Sequence, residues 1–217
     1  MPITKPVKEK INKLKAEFDT LRKGKDSLLA MIDEVEMPES VYNSNAIENS
    51  TLTLRETEKI LLEMEVSRNI SLREVYEAKN LARVLDYMKK SKETEINREL
   101  ILLLHQMLIG GIDDKIAGRF RDHGEYVRVG THIAPPPEKV ELMIESIITG
   151  YTSDLSAYFL DKIAKFHLDF ETIHPFCDGN GRIGRILMCF QLQRLGFPII
   201  IIRDREKKEY YKSFGYY

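Results

Sequence analysis

Between His174 and Arg185 the chain reads HPFCDGNGRIGR. An imidazole, the carboxylate of Asp178, the tripeptide Gly179-Asn180-Gly181 and two guanidinium groups, Arg182 and Arg185, fall within one short stretch. Imidazole is the natural base for a hydroxyl that attacks phosphorus near neutral pH. Glycines that open a helix present unpaired N–H groups and partial positive charge, so Gly179 to Gly181 read as a phosphate cradle. Arg182 and Arg185 are three residues apart, project from neighbouring positions on one helix surface, and suit further phosphate oxygens. Asp178 stands where a hard divalent cation, Mg²⁺ above all, would bridge a carboxylate and phosphates. Taken singly these are ordinary features. Gly-Asn-Gly is most often a turn, Phe176 reads as a core anchor and Cys177 as incidental. Their order carries the reading: base, anchor, carboxylate, amide cradle, two arginines.

The elements around this stretch read as helices. Residues 5–36 are charged, with Ile11, Leu14, Phe18 and Leu21 at helical spacing, and are predicted to form an amphipathic N-terminal extension. MPES is expected to break it, with Pro38 as the stop and Ser40 as a cap for a new helix around 40–49. Thr53 and Glu56 form a capping box at the head of TLRETEKILLEME. Further helices are expected over 71–90, 96–110, 138–149 and 154–172, and from near Arg182 onward. The stretch GEYVRVGTHIAPPP alternates, carries a glycine and ends in three prolines, so it reads as a short hairpin or flap. His167 and His105 read as core histidines and His123 as a loop residue. The expected class is all-α with one small β element, divided into a 1–36 extension and a 37–217 domain.

The chain has 217 residues, is 43% hydrophobic and carries a net charge of −1. That balance excludes a mainly electrostatic nucleic-acid binder. Two cysteines without a CxxC motif argue against a disulfide framework or a cysteine zinc site. The N-terminus lacks an apolar signal core, and the longest apolar run, PIIII, is too short to span a bilayer. The expectation is a cytoplasmic protein with no membrane or nucleic-acid partner.

HPFCDGNGRIGR resembles the signature of the Fic family, HxFx(D/E)GNGRxxR, with every specified position filled. The similarity to animal members of the family continues through GRFR (118–121), VGTHIAPPP (129–137) and PIIIIRDREKKEYY (198–211), covering roughly residues 40–212. The resemblance implies a Fic-fold helical bundle with a hairpin flap, and transfer of AMP from ATP to a Ser, Thr or Tyr hydroxyl of a protein. It makes His174 the general base and Asp178 the Mg²⁺ ligand. It places the Gly179–Asn180–Gly181 amides, Arg182 and Arg185 on phosphates. Val129, Gly130, Thr131 and His132 of the flap align the target peptide and touch the nucleotide, and Tyr210 lies on the adenine side. The tail KSFGYY lacks an asparagine that reaches the adenosine in those relatives, which leaves the pocket less complete or the chain cut short. A homodimer is suggested by the resemblance alone.

SNAIEN (44–49) fits the family's inhibitory pattern (S/T)xxxE(G/N) through Ser44, Glu48 and Asn49. On a helix Ser44 and Glu48 are one turn apart on the same side. Glu48 directed at Arg185 would hold the arginine needed for the γ-phosphate, so ATP would bind in a posture unsuited to in-line attack. The same glutamate would also position a water that removes AMP. Three readings compete: an adenylyltransferase braked by Glu48, a transferase using another phosphate donor (a Doc-like kinase, which carries lysine where this chain has Gly181), and a nucleotide-binding regulatory module without turnover.

Overall fold

The computed structural model describes residues 2–66, 69–91 and 93–215. The terminal Tyr216 and Tyr217 of the KSFGYY tail lie outside the described residues. Along the described chain run α1 (Lys5–Leu21), α2 (Asp26–Ile47), α3 (Leu54–Glu58), α4 (Leu72–Lys90), α5 (Arg98–Ile109), β1 (Arg128–Val129), β2 (His132–Ile133), α6 (Pro137–Ser153), α7 (Phe159–Ile173), α8 (Asn180–Arg194) and α9 (Lys207–Lys212). A π-helical turn, Lys59–Glu63, extends α3, and a 3₁₀ turn, Asp204–Glu206, leads into α9. The architecture is the all-α bundle with one two-stranded hairpin that the pattern predicts.

Local chemistry sets the helix starts. Thr53 accepts from Glu56 N–H at 3.2 Å while Glu56 Oε2 accepts from Thr53 N–H at 2.8 Å, the reciprocal capping box. Ser71 and Asn97 cap α4 and α5 through the N–H groups of Glu74 and Leu100. The expected 154–172 helix begins later, at Phe159. Asp154 Oδ1 instead accepts from the N–H groups of Ser156 and Ala157, a local turn that competes with helix formation.

Two expectations about the N-terminal segment are corrected. Residues 5–36 are not one helix: Gly24, at φ +71°, turns the chain between α1 and α2. Pro38 does not stop a helix and Ser40 caps none, because α2 runs through both without a break, across position 36. An internal proline costs about 3 kcal/mol. Beyond it Val41 and Ile47 are fully buried, and Asn43 Oδ1 accepts from Asp204 N–H at 2.9 Å, so tertiary packing holds the second half of α2 in place.

The core gathers around α8. Ile183, Leu187 and Phe190 meet Phe170 of α7, Leu104 and Leu108 of α5, and Leu81 of α4. Unlike an ordinary amphipathic helix, α8 is covered on its polar side too, so Asn180, Arg182, Arg185 and Gln191 are buried. A buried helix whose N-terminal turn is the glycine cradle is what the site is built on.

Candidate active site

The loop between α7 and α8 is held from three sides. Its first residue, His174, takes the left-handed conformation (φ 50°, ψ 62°) that ends α7 and turns the chain. Phe176 is fully buried, with its ring stacked on His105 at 3.7 Å. His105 Nδ1 accepts from Gly118 N–H at 3.0 Å, so its proton sits on Nε2, which donates to the Asp178 carbonyl at 3.0 Å. Burial pulls the His105 pKa down to about 4, so this pinning group is neutral. Asn180 closes the loop on itself: its Oδ1 accepts from Phe176 N–H at 2.8 Å and its Nδ2 donates to Phe176 O at 2.7 Å. The Asn180 side chain is therefore committed to the loop, and only its backbone faces the helix start. Gly179 needs its missing side chain twice over, at φ +82° and against Ile109.

His174 Nδ1 donates to the Glu171 carbonyl at 3.3 Å, which leaves the Nε2 lone pair for chemistry. Burial lowers its pKa to about 4, so the ring is a free base at neutral pH. It borders a cleft of about 120 Å³ shared with Val129 of the flap, Gly181, Arg185 and Tyr210. His132 Nε2 donates to Thr172 O at 2.8 Å and ties the flap to α7. The strand pairing is antiparallel, Val129 against His132, with Gly130 (φ +58°) and Thr131 at the turn.

Ser44, Glu48 and Arg185 meet although Glu48 and Arg185 are 137 positions apart. Arg185 Nη2 donates to Glu48 Oε1 at 2.7 Å and to Ser44 O at 2.9 Å, and Nε donates to Ser44 Oγ at 3.1 Å. A Cβ on Gly181 would lie 2.3 Å from Glu48 Oε1, so the carboxylate sits directly on the amide cradle at the N-terminus of α8. Asn49 does not join this group. It ends the helix at φ +69°, and its Oδ1 accepts from Lys207 Nζ at 2.8 Å. Tyr210 lies over Arg185, 5.9 Å from ring centroid to guanidinium, and its hydroxyl shares a 2.9 Å hydrogen bond with His167 Nε2. His167 is buried as expected of a core histidine, and it supports Tyr210, which lines the cleft.

Asp178 is wrapped in positive charge. Its Oδ1 accepts from Gly179 N–H at 2.6 Å and Arg182 Nη2 at 3.1 Å, and its Oδ2 accepts from Arg73 Nη2 at 2.5 Å. Burial works against ionisation, but Arg182 and Arg73 hold the carboxyl below its ordinary value. Among the described residues no three His, Cys, Asp or Glu side chains converge on a metal position. A cation here would have one protein carboxylate and take its other oxygens from phosphates and water, a donor set that suits Mg²⁺.

Three functional residues were not singled out from sequence. Arg121 is buried and donates to His174 O, Glu125 O and Pro135 O at 2.8–2.9 Å, joining the loop after α7 to the segments on either side of the hairpin. Its position inside GRFR was the available signal. Glu171 lies one helical turn before His174, with Oε1 lacking a partner among the described residues. Burial raises its pKa to about 8, so it is a neutral acid at pH 7. Arg73 had no local signal, because its contact with Asp178 spans 105 positions.

The Fic/DOC family model matches residues 95–192. "Protein adenylyltransferase Fic" of Drosophila persimilis is 33% identical over 175 residues, 79% of this chain and 34% of that protein. The Drosophila melanogaster protein of the same name is 33% identical, over 79% of this chain and 35% of its own length. The chain thus spans about a third of the length of the curated relatives it matches. Among solved structures, a Fic-domain signalling protein from Bacteroides thetaiotaomicron superimposes with a TM-score of 0.85 at 29% identity, covering 93% of this chain and 79% of that one. Fic-1 from C. elegans superimposes with a TM-score of 0.81 at 29% identity, covering 98% of this chain and 66% of that one.

Proposed function

Because residues 95–192 belong to the Fic/DOC family, we propose that the protein transfers AMP from ATP to a hydroxyl side chain of a protein and is held off by Glu48. The observation that carries this reading is the contact of Glu48 with both Arg185 and the cradle, opposite a neutral His174. His174 Nε2 takes the proton of the incoming hydroxyl as its oxygen attacks the α-phosphorus. The bond to the β-phosphate oxygen breaks and pyrophosphate leaves. The backbone N–H groups of Gly179 to Gly181 and the positive end of α8 stabilise the charge that develops on the phosphate oxygens. Arg182 and Arg185 suit the remaining phosphates, and Tyr210 with the flap walls the adenosine side. Mg²⁺ at Asp178 would neutralise phosphate charge and fix the chain's orientation.

Glu48 opposes this by taking the place of an anion on the cradle and the hydrogen bonds of Arg185. The same carboxylate, displaced from Arg185 by a modified target, suits the orientation of a water against the AMP linkage, which would make removal of AMP a second activity. The cysteines, Cys177 and Cys189, are unpaired, in keeping with the cytoplasm as the compartment. No helix among the described residues is long and apolar enough to cross a membrane.

The test is a mass spectrum of the Glu48→Gly protein and a hydroxyl-bearing target after incubation with ATP and Mg²⁺. A gain of AMP is expected. A gain of phosphate would point to the kinase reading, and no gain under conditions where nucleotide binds would point to a regulatory module.

A further inference from the structure

The carboxylate read as the cation ligand is already engaged, and by two arginines of different exposure. Arg182 is 3% exposed and locked between Asp178 Oδ1 and Glu77 Oε1, at 3.1 and 3.3 Å. Arg73, from the first turn of α4, is 56% exposed and reaches Asp178 Oδ2 from the solvent side. Its Nε donates to the same Glu77 Oε1 at 3.1 Å. One half-buried glutamate therefore holds both guanidinium groups, and Arg73 covers Oδ2 of Asp178. A cation at Oδ2 would have to share that oxygen with Arg73 Nη2, which sets two positive groups against each other on one carboxylate.

We propose that Arg73 is a tethered competitor for the divalent cation at Asp178, displaced when cation and nucleotide phosphates arrive together. The proposal rests on the reading of Asp178 as the cation ligand. A divalent ion at Oδ2 removes the arginine's partner and places two positive groups side by side. Arg73 then needs another anion, and the phosphates that the ion bridges are the nearest new one. Glu77 keeps the displaced guanidinium at the mouth of the site. The cation alone gains little at Asp178, because it must evict a charge already paired there. Cation plus polyphosphate supplies a new partner for everything evicted. Arg73 thereby makes occupation of the metal position conditional on nucleotide, and linkage requires the converse coupling as well.

The experiment titrates Mg²⁺ against the full chain at a fixed concentration of a fluorescent ATP analogue and follows binding by anisotropy, without turnover. Arg73→Ala is expected to lower the half-saturating Mg²⁺ concentration about fivefold, the scale of a part-exposed ion pair. Arg73→Lys keeps the charge and is expected to stay within about twofold of wild type. Asp178→Asn is expected to remove most of the Mg²⁺ dependence, and adding Arg73→Ala to it is expected to change nothing further. An unchanged or raised midpoint for Arg73→Ala, with Asp178→Asn still insensitive to Mg²⁺, overturns the competitor. Mg²⁺ dependence that survives Asp178→Asn overturns the cation reading and the competitor with it. Thermal melts of each variant separate these outcomes from loss of fold.

Discussion

Replacing Glu48 with Gly tests the brake most directly. The Arg185 side chain is 6% exposed and that of Glu48 is 34% exposed, so the pair is shielded on one side only. A hydrogen bond to a charged group contributes about 1.5–3 kcal/mol, and the part-exposed carboxylate places this one near the lower end. Releasing about 1.5 kcal/mol corresponds to roughly a tenfold gain in initial rate. Ser44 O and Oγ still accept from Arg185 in the variant, so the freed guanidinium stays aimed at the cleft. Arg185→Ala should show no gain, because it removes the phosphate grip with the brake. The double variant should match Arg185→Ala, a non-additive pattern that only a shared site produces. Initial rates of AMP incorporation from labelled ATP, for four proteins at equal ATP and Mg²⁺, provide the measurement. Equal rates for wild type and Glu48→Gly, or a double variant as fast as Glu48→Gly, would refute the reasoning.

Other expectations address the base, the loop and the buried acid. His174→Ala should lower transfer by about 10²–10⁴-fold with nucleotide affinity nearly unchanged, since the imidazole acts on the hydroxyl; calorimetric titration with ATP checks the second half. With its pKa near 4, His174 should support transfer at constant rate from pH 8 down to about 5, and a rate that halves near pH 6.5 would contradict the burial argument. Asn180→Ala leaves the N–H and C=O of Phe176 without their partners inside the loop and should cost about 2–4 kcal/mol in a denaturant melt. Glu171 binds its proton more tightly folded (about 8) than at the ordinary 4.5, so between those values the unfolded state holds fewer protons and stability falls as pH rises. Glu171→Gln should remove that contribution and raise the melting temperature at pH 7; a lower melting temperature there would show that Glu171 is ionised and paired.

What could be read from sequence divides by distance along the chain. The loop from His174 to Arg185 is contiguous, so its roles follow from order and helix geometry, and Thr53 with Glu56 reveals a helix start within four residues. The meeting of Glu48 with Arg185 was legible only through the inhibitory pattern, since periodicity says nothing about pairs so far apart. Pro38 misled because its local cost is real but smaller than the packing of Val41 and Ile47 behind it. From sequence Asn180 offers the cradle its backbone amide, and nothing there says what its side chain does. Its actual partners, the backbone of Phe176, become apparent only when the loop closes. Arg73 and Glu77 belong to a helix whose sequence shows amphipathicity and nothing of the carboxylate they face.

The unbroken course of α2 has a mechanical consequence. At about 1.5 Å per residue, the helix from Asp26 to Ile47 is a rod of roughly 30 Å. Its first half projects from the core with Leu28, Met31 and Val35 exposed, and Glu48 sits at the tip of its anchored end. Sliding this rod by one residue would carry Glu48 about 1.5 Å along the axis and turn it about 100° away from Arg185. A hydrogen bond of 2.7 Å tolerates neither. Displacement at the exposed end thus reaches the cleft along one continuous helix, whose softest point is Pro38, where a backbone hydrogen bond is missing.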